Sequence, residues 1–403
     1  MVKNTFSIKT DLENVVFICN KETGDWLITN NEEKYNLNSN NTFSTQPFTG
    51  TCMIALNMGR RCNLNCIYCL VGNLKKKKES LKYNVGKRVI ESIAELNKND
   101  KHIVFHGSEP LANIEMIYEL IEYAKKLDKE IRFSIQTNGT LFDDNIISYF
   151  YQNDVNIGIS LDGKEYHQNK NRPYLSGDGS FEKVIKNVEK ITKIQNGLSI
   201  ITVLTKYNIS DLEEIVEYYE SLNLHSVLFT PANPFDDISF VPPEDVLIQK
   251  VIKIFDRYLQ LTMEGKETIQ IIKFKKILST FFRQKTTSNC LQCGAGPKHP
   301  LLAVDIDGTI YPCDYLWDKK EYSIGNILVD SLSDVINSNK NFRKYRNVDN
   351  IVQCDNCNWK RFCGGGCPGS LIAAGRGLEN ESFYCNYNKE LFKYMAKKNT
   401  SYS

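Results

Sequence analysis

Several features are missing from this sequence, and their absence excludes common classes of protein. No apolar run reaches the roughly 18 residues of a membrane span, and the first residues, MVKNTFSIKTDLENV, lack the apolar core of a signal peptide. Positive and negative charges are nearly balanced, with 50 basic and 48 acidic residues. The sequence therefore carries no electrostatic signature of binding to nucleic acid or to an anionic membrane. We expect a cytoplasmic protein.

Histidine is scarce and cysteine is abundant. Of the 403 residues only five are His, whereas 13 are Cys. Three cysteines lie within Cys62–Cys69 and eight follow residue 289. A long chain without a secretion signal is expected in a reducing compartment, where cysteines at short spacing hold metal more often than they form disulfides. With so few imidazoles nearby, ligation by sulfur is expected, which favours iron–sulfur clusters or zinc.

From residue 51 the sequence alternates between short apolar runs and amphipathic segments. The apolar runs, which each predict a buried strand, are MIALNM, HIVFHG, IRFSIQT, VNIGISL, LSIITVL and SVLFT. The intervening segments predict helices near residues 86–97, 113–127, 143–152, 180–195 and 210–222. This alternation is typical of βαβ units around a parallel sheet. Six such units predict an α/β fold, either an open sheet or an incomplete (β/α)6 barrel, with active residues at the carboxyl ends of the strands.

The rest of the chain divides around this core, residues 51–235. Residues 1–50 predict a short β-rich extension with a hairpin between VVFIC and DWLIT. Two helices are predicted in a bridge over residues 236–287. Residues 288–403 are rich in cysteine and glycine, with one hairpin signal at Asp307-Gly308. That last segment has too little periodic apolar sequence to fold by burial alone, so we expect metal to organise it.

Three cysteines, Cys62, Cys66 and Cys69, follow the first core strand. Three thiolates on one short loop can hold three irons of a [4Fe–4S] cube and leave the fourth iron open for a substrate or cofactor. The alternative is a structural zinc ion with a distant fourth ligand, although zinc sites more often use paired Cys-x2-Cys groups. Cys52, upstream of this loop, is expected to be an ordinary buried thiol.

The loop resembles the cluster loop of radical S-adenosylmethionine (SAM) enzymes, through the spacing Cys-x3-Cys-x2-Cys and the aromatic Tyr68 before the last cysteine. The resemblance implies that the open iron binds SAM. An electron from the cluster then cleaves SAM to methionine and a 5′-deoxyadenosyl radical, which abstracts hydrogen from the substrate.

Later motifs extend this resemblance over roughly residues 51–235. Gly107-Ser108-Glu109-Pro110 is similar to the family's Gly-Gly-Glu-Pro turn, which implies that Glu109 receives the SAM ammonium. In similar enzymes a serine such as Ser160 contacts SAM and an arginine such as Arg172 pairs with its carboxylate. Taken singly, each motif also fits a turn, a helix cap or a surface residue. The residues implied to bind the cofactor are Tyr68, Gly107, Glu109, Asn138, Ser160 and Arg172.

The cysteines after residue 289 resemble the SPASM extension of radical SAM peptide and protein maturases. Eight cysteines are the right number for two fully ligated [4Fe–4S] clusters, so the resemblance implies three clusters in all. The implied ligands are Cys290, Cys293, Cys313 and Cys367 for the nearer auxiliary cluster, and Cys354, Cys357, Cys363 and Cys385 for the farther one. The tight Cys290-x2-Cys293 spacing leaves open which of that pair ligates. Two zinc sites of four cysteines each are the alternative.

Asp314 directly follows Cys313. In sulfatase-type maturases of this family an aspartate at the matching position is proposed to take a proton from the substrate, so the resemblance implies a catalytic base here. A purely structural role for the Cys-Asp pair is the alternative. Asp305 and Asp307 are interpreted as turn residues of the predicted hairpin.

The resemblance implies a radical SAM maturase that modifies a ribosomally made peptide or protein, with a thioether or carbon–carbon crosslink as the expected product. One alternative is a sulfatase-type maturase that oxidises Cys or Ser to formylglycine. Another is a polycluster electron-transfer protein without radical chemistry. The expected partners are a peptide or protein substrate and a flavodoxin- or ferredoxin-type electron donor. Residues 1–50 are too short for the usual leader-binding domain, so a separate leader-recognition protein is also expected.

Overall fold

The computed structural model describes most of the core and much of the carboxyl-terminal region. The described residues are 5–9, 16–20, 26–29, 52–69, 71–72, 78–96, 100–127, 130–194, 197–234, 237–283, 301–338 and 348–399. Cys290 and Cys293, and the expected boundary at residue 288, lie outside them.

Three short strands near the amino terminus form an antiparallel sheet in the order β1-β2-β3. They are β1 (Thr5–Lys9), β2 (Val16–Asn20) and β3 (Trp26–Thr29). The register of β2 against β3 pairs Cys19 with Trp26, which confirms the predicted hairpin. Strand β1 adds a third member that the sequence pattern did not indicate.

The core is a parallel sheet whose strands lie side by side in sequence order. All six apolar runs form its strands, as predicted. They are β4 (Cys52–Asn57), β5 (Lys101–His106), β6 (Ile131–Thr137), β7 (Asn156–Ser160), β8 (Ser199–Leu204) and β9 (Ser226–Pro231). Because the strands are parallel, their carboxyl ends meet at one edge of the sheet.

Six helices connect these strands. They are α1 (Tyr83–Ala94), α2 (Ile114–Leu127), α3 (Asp144–Gln152), α4 (Glu165–Asn171), α5 (Phe181–Ile194) and α6 (Leu212–Ser221). Apart from α4, each buries an apolar stripe against the sheet, as Val184, Val188 and Ile191 do for α5. Helix α4, which the sequence analysis missed, is only two turns long and mostly polar.

Additional strands pair with both ends of the six-stranded core. Strand β10 (Gln270–Ile271) lies parallel to β9, and β11 (Leu301–Val304) lies parallel to β4. Strands β12 (Thr309–Tyr311) and β13 (Gly325–Asn326) follow antiparallel, which confirms the hairpin at Asp307-Gly308. Since β4 and β9 pair with these outer strands, the sheet remains an incomplete barrel, and the hairpin is continuous with it.

The bridge contains the two predicted helices, α7 (Glu244–Met263) and α8 (Ile272–Arg283). The carboxyl-terminal region adds α9 (Leu332–Ser338), α10 (Lys360–Cys363), α11 (Pro368–Ala373) and α12 (Cys385–Asn399). Short 3-10 turns occupy Pro110–Asn113, Ile209–Asp211, Asp314–Leu316, Lys320–Tyr322, Val348–Asn350 and Val352–Cys354. Helix α12 packs on α7 and α8, so the last cysteine-bearing helix rests against the bridge. No described helix is long and apolar enough to cross a membrane.

Candidate active site

The loop of Cys62, Cys66 and Cys69 begins five residues after β4, at the carboxyl edge of the sheet. All three cysteines are partly buried. The backbone N–H of Asn65 donates to the carbonyl of Pro173 at 2.8 Å. Likewise, Ile67 N–H donates to the carbonyl of Asn171 at 3.1 Å. The loop is thus fixed against the segment that follows β7, where the sequence analysis expected active residues.

Glu109 lies at the end of β5 and is buried, with 3% of its surface exposed. Its carboxylate accepts hydrogen bonds from the Thr137 hydroxyl at 2.6 Å, from Asn138 N–H at 2.8 Å and from Leu111 N–H at 3.0 Å. Burial outweighs these donors and raises the pKa of Glu109 to about 7. A buried carboxylate without a cationic partner among the described residues suits a site for an ammonium group.

Gly107, the first residue of the same turn, has a φ of +122°. A Cβ atom at this position would collide with the Asn57 side chain. Glycine is therefore required for the backbone to pass from β5 into the turn that presents Glu109.

Asn138 connects the turn after β6 to the cysteine loop. Its side-chain amide donates to the Cys62 sulfur at 3.8 Å and to the Asn63 side chain at 2.9 Å. Ser160, at the end of β7, accepts from the Gln136 amide at 3.2 Å. Glu109, Asn138 and Ser160 therefore follow three neighbouring strands at the same edge of the sheet as the cysteine loop.

Three buried side chains after β7 and in the loop itself, Tyr68, Asp162 and Arg172, also hold the cysteine loop in place. The Tyr68 hydroxyl donates to Asp162, whose carboxylate also pairs with the Arg172 guanidinium, Nε to Oδ2, at 3.1 Å. That guanidinium lies over the Tyr68 ring, 5.2 Å from its centroid. Although burial opposes the charged form, Asp162, Tyr68 and Cys66 together raise the pKa of Arg172.

These contacts favour positioning of the loop as the role of Arg172. A contact between Arg172 and the SAM carboxylate stays a prediction, and such a contact would share the guanidinium with Asp162. Asp162 is not among the residues that the resemblance implied to bind the cofactor. Its place directly after an apolar strand is the signal that could have identified it.

Asp314 lies beside His106, a residue that the sequence analysis did not single out. The distance from His106 Nε2 to Asp314 Oδ2 is 3.8 Å, and each side chain is 27% exposed. His106 Nδ1 accepts the Gly107 N–H at 2.8 Å, so the ring proton of a neutral His106 is on Nε2, facing Asp314. The expected base therefore reaches the carboxyl end of β5, next to the turn that carries Glu109.

The two aspartates of the hairpin differ in role. Asp307 accepts the Thr309 N–H at 3.0 Å, which is the turn function predicted for it. Asp305 accepts from Ile306 N–H, but its carboxylate also binds Asn57 at 2.7 Å and Arg60 at 2.8 Å. Its interpretation as a turn residue alone was wrong, because the side chain faces the core.

Four cysteines of the carboxyl-terminal region surround one cavity of about 330 Å³, including its open mouth. They are Cys354, Cys357, Cys363 and Cys385, the set implied for the farther auxiliary cluster. Burial and the three neighbouring thiolates raise the pKa of Cys363 to about 12. Among the described residues, no three Cys, His, Asp or Glu side chains are grouped to chelate a single metal ion.

A [4Fe–4S] cluster fits the chemistry of this donor set, because its positive core offsets the repulsion between buried thiolates. Gly364, Gly365 and Gly366 follow Cys363 with φ values of 64°, 83° and 82°. Three consecutive left-handed residues are accessible only to glycine at low cost. They turn the backbone around the cavity, and Gly365 lines it.

The nearer auxiliary site is only partly described. Cys313 and Cys367 are 54 positions apart in sequence, yet both lie close enough to Tyr315 to raise its pKa, although burial is the largest cause. The Tyr315 hydroxyl accepts from Asn233, which follows β9. This places Cys313 and Cys367 near the barrel mouth. Cys290 and Cys293 lie outside the described residues. Cys52 is fully buried, as expected.

An open β/α barrel with a three-cysteine loop at its carboxyl edge, and a tetracysteine cavity in the region that follows, defines a class of iron–sulfur enzymes. Residues 56–219 match the Radical SAM superfamily, and residues 298–358 match the SPASM iron–sulfur cluster-binding domain. The chain therefore contains a radical SAM domain followed by a SPASM domain. These domains imply SAM and iron–sulfur clusters as cofactors.

Relatives are similar to this chain in sequence or in fold over most of its length. The cysteine-type anaerobic sulfatase-maturating enzyme of Clostridium novyi is 28% identical, over 84% of this chain and 92% of its own length. The solved structure of native anSMEcpe with bound AdoMet and Cp18Cys peptide has a TM-score of 0.75 at 23% identity, covering 86% of this chain and 96% of that chain. Streptococcus suis SuiB bound to the precursor peptide SuiA has a TM-score of 0.61 at 15% identity, with coverages of 84% and 76%.

Proposed function

We propose that this chain is a radical SAM maturase that oxidises a cysteine side chain of a protein or peptide at Cβ, which yields formylglycine. The observation that carries the proposal is the placement of Asp314 within 3.8 Å of His106, beside the turn of Glu109. A base at this position can take a proton from a substrate that is held at the barrel mouth. The similarity to sulfatase-maturating enzymes favours this product over the crosslink expected from sequence.

Cys62, Cys66 and Cys69 would hold the cluster that binds SAM, with Glu109 receiving the SAM ammonium and Asn138 supporting Cys62. Bound there, the cluster supplies the electron that cleaves SAM to methionine and the 5′-deoxyadenosyl radical. Ser160 and Gln136 would contact the cofactor from neighbouring strand ends. The buried set of Tyr68, Asp162 and Arg172 would keep the loop in place and exclude water from it.

The proposed oxidation balances in atoms and electrons. The substrate Cβ loses one hydrogen atom to the radical, which becomes 5′-deoxyadenosine. Asp314 would accept the thiol proton, and an auxiliary cluster, held at one of the cysteine sets already named, would accept the one electron that the substrate loses. The thioaldehyde that forms reacts with water, which gives the aldehyde and hydrogen sulfide. We place two auxiliary clusters at the cysteine sets already named. The oxidation needs one of them as electron acceptor, and an external donor would supply the electron for SAM cleavage.

The experiment that tests the proposal identifies the product. The reconstituted chain is incubated with SAM, a reductant and a cysteine-containing peptide from the modified segment of a sulfatase, and the peptide is analysed by mass spectrometry. Loss of two hydrogens together with exchange of sulfur for oxygen is expected, and the aldehyde should be trapped by a hydrazide. Loss of two hydrogens with sulfur retained would instead indicate a thioether or carbon–carbon crosslink. Unchanged peptide beside abundant 5′-deoxyadenosine would point to another substrate class.

A further inference from the structure

A partly buried lysine, Lys273, lies near the farther auxiliary site. Lys273 is the second residue of α8, and its ammonium donates to the Tyr387 hydroxyl at 3.1 Å. It also lies over the Tyr387 ring, 4.3 Å from the centroid. Both residues line a small cavity whose remaining walls are apolar, formed by Leu212, Phe229, Val251, Ile254, Ile271 and Phe274. This environment offers the charge only a hydroxyl and an aromatic face.

Lys273 has no acidic partner in the part of the chain that the structure describes. Burial is the main influence on its pKa and lowers that pKa to about 8. The charged group that opposes this effect is the Cys363 thiolate. A buried charge is normally paired or coordinated. The Lys273 ammonium contacts Tyr387, which lies two residues after Cys385 in α12, so it is placed close to a ligand of the tetracysteine cavity.

A [4Fe–4S] cluster held by four thiolates carries net negative charge, which increases on reduction. Its reduction potential depends on the surrounding charges, hydrogen bonds and solvent exposure. A cation fixed nearby in an apolar environment stabilises the reduced form more than the oxidised one, because charges interact strongly where the dielectric constant is low. Lys273 is such a cation, because it lies near the cluster site and the cavity around its ammonium is mostly apolar.

We propose that Lys273 is the electrostatic partner of the cluster at Cys354, Cys357, Cys363 and Cys385, and that it raises the reduction potential of this cluster. The inference rests on the proposal that this cavity holds a [4Fe–4S] cluster. The inference also indicates that the cluster accepts electrons, since a raised reduction potential favours acceptance of the electron that leaves the substrate. Lys273 acts on the cluster through its charge and has no contact with the substrate.

The test is a redox titration of the reconstituted full-length chain, followed by electron paramagnetic resonance, with iron analysis of each sample. Lys273→Met should lower the equilibrium constant for reduction of one auxiliary cluster at least tenfold, which is about 59 mV for a one-electron couple. Lys273→Arg keeps the charge and should remain near the wild-type potential. Lys275→Met, on the exposed face of the same helix, is the matched control and should change nothing.

Loss of one cluster in Lys273→Met with retention in Lys273→Arg would also support the inference, since the charge would then be needed for assembly. An unchanged potential at full iron content in Lys273→Met would overturn it. Equal loss of the cluster in the Met and Arg variants would overturn it as well, because packing would then explain the residue. Iron analysis of the wild type separates this failure from failure of the cofactor assignment: a wild type that lacks the cluster overturns both.

Discussion

Arg60 and Asp305 form a buried ion pair that joins the cysteine loop of the barrel to the carboxyl-terminal hairpin. Arg60 Nη2 lies 2.8 Å from Asp305 Oδ2, and both side chains are 4% exposed. The Nε and Nη1 atoms of Arg60 are buried without a hydrogen-bond partner in the described part of the chain. Asp305 therefore provides most of the negative charge that stabilises the buried guanidinium of Arg60, two residues before Cys62.

We expect Asp305→Asn to lower the free energy of unfolding by about 3–5 kcal/mol, the range measured when one partner of a buried ion pair is removed. The substitution leaves the Arg60 charge buried with only two more distant acidic partners, Glu79 and Asp318, each at 4.0 Å. Urea unfolding of the anaerobic, cluster-loaded chain measures the effect. Asp307→Asn is the matched control and should change the free energy by no more than about 0.5 kcal/mol, as exposed substitutions usually do. Equal unfolding curves for the two variants would contradict this role of Asp305.

SAM binding should tighten as the pH rises through about 7. Burial raises the pKa of Glu109 to about 7, so the carboxyl is mostly protonated at pH 6 and mostly ionised at pH 8. Because the SAM ammonium needs the ionised form, the dissociation constant should fall about tenfold between these pH values. Equilibrium dialysis of the reconstituted chain measures it.

In the same assay Glu109→Gln should weaken binding at pH 8 by about 1.5–3 kcal/mol, the contribution of a charged hydrogen bond, and should remove the pH dependence. Glu115→Gln, exposed in the first turn of α2, is the control. A pH dependence that persists in Glu109→Gln would assign the titration to another group.

Replacing Cys62, Cys66 and Cys69 together by Ala should remove about four iron atoms per chain, since one cubane is lost. SAM cleavage should be abolished, because the cluster that supplies the electron would be lost. Iron analysis and chromatographic detection of 5′-deoxyadenosine measure the two effects. SAM cleavage that survives in this variant would refute the assignment of the loop.

Asp314→Asn should separate SAM cleavage from product formation. Without a carboxylate to accept the proton, conversion of the peptide should fall about 10²–10⁴-fold, the usual contribution of a general base. Formation of 5′-deoxyadenosine should continue. Asp307→Asn again serves as the control, because Asn preserves the turn contact to Thr309. If both variants convert the peptide equally well, Asp314 has only a structural role.

Local pattern explains why much of this molecule could be predicted from sequence. Each core strand is a short apolar run, and the implied cluster ligands occur at characteristic spacings. Both features can be recognised without knowledge of contacts between distant segments. The grouping of Cys354, Cys357, Cys363 and Cys385 around one cavity agrees with the set assigned by resemblance.

Contacts between distant segments could not be predicted in the same way. Arg60 and Asp305 are 245 positions apart, and they meet because β11 pairs with β4, which no local signal specifies. The same pairing places Asp314 beside His106. In the sequence, Lys273 is one more polar residue of an amphipathic helix. Only the packing of α12 on α8 encloses its side chain. The sequence determines these contacts only through the complete topology.

The most direct test of the account is transfer of hydrogen from the substrate to the cofactor. The reconstituted chain is incubated with SAM, a reductant and a peptide whose cysteine carries deuterium at Cβ, and the 5′-deoxyadenosine is analysed by mass spectrometry. Deuterium should appear in 5′-deoxyadenosine in step with formation of the aldehyde, and neither should form with the variant that lacks Cys62, Cys66 and Cys69. Aldehyde that forms without deuterium in 5′-deoxyadenosine, or a fully iron-loaded chain that makes no 5′-deoxyadenosine, would contradict the account.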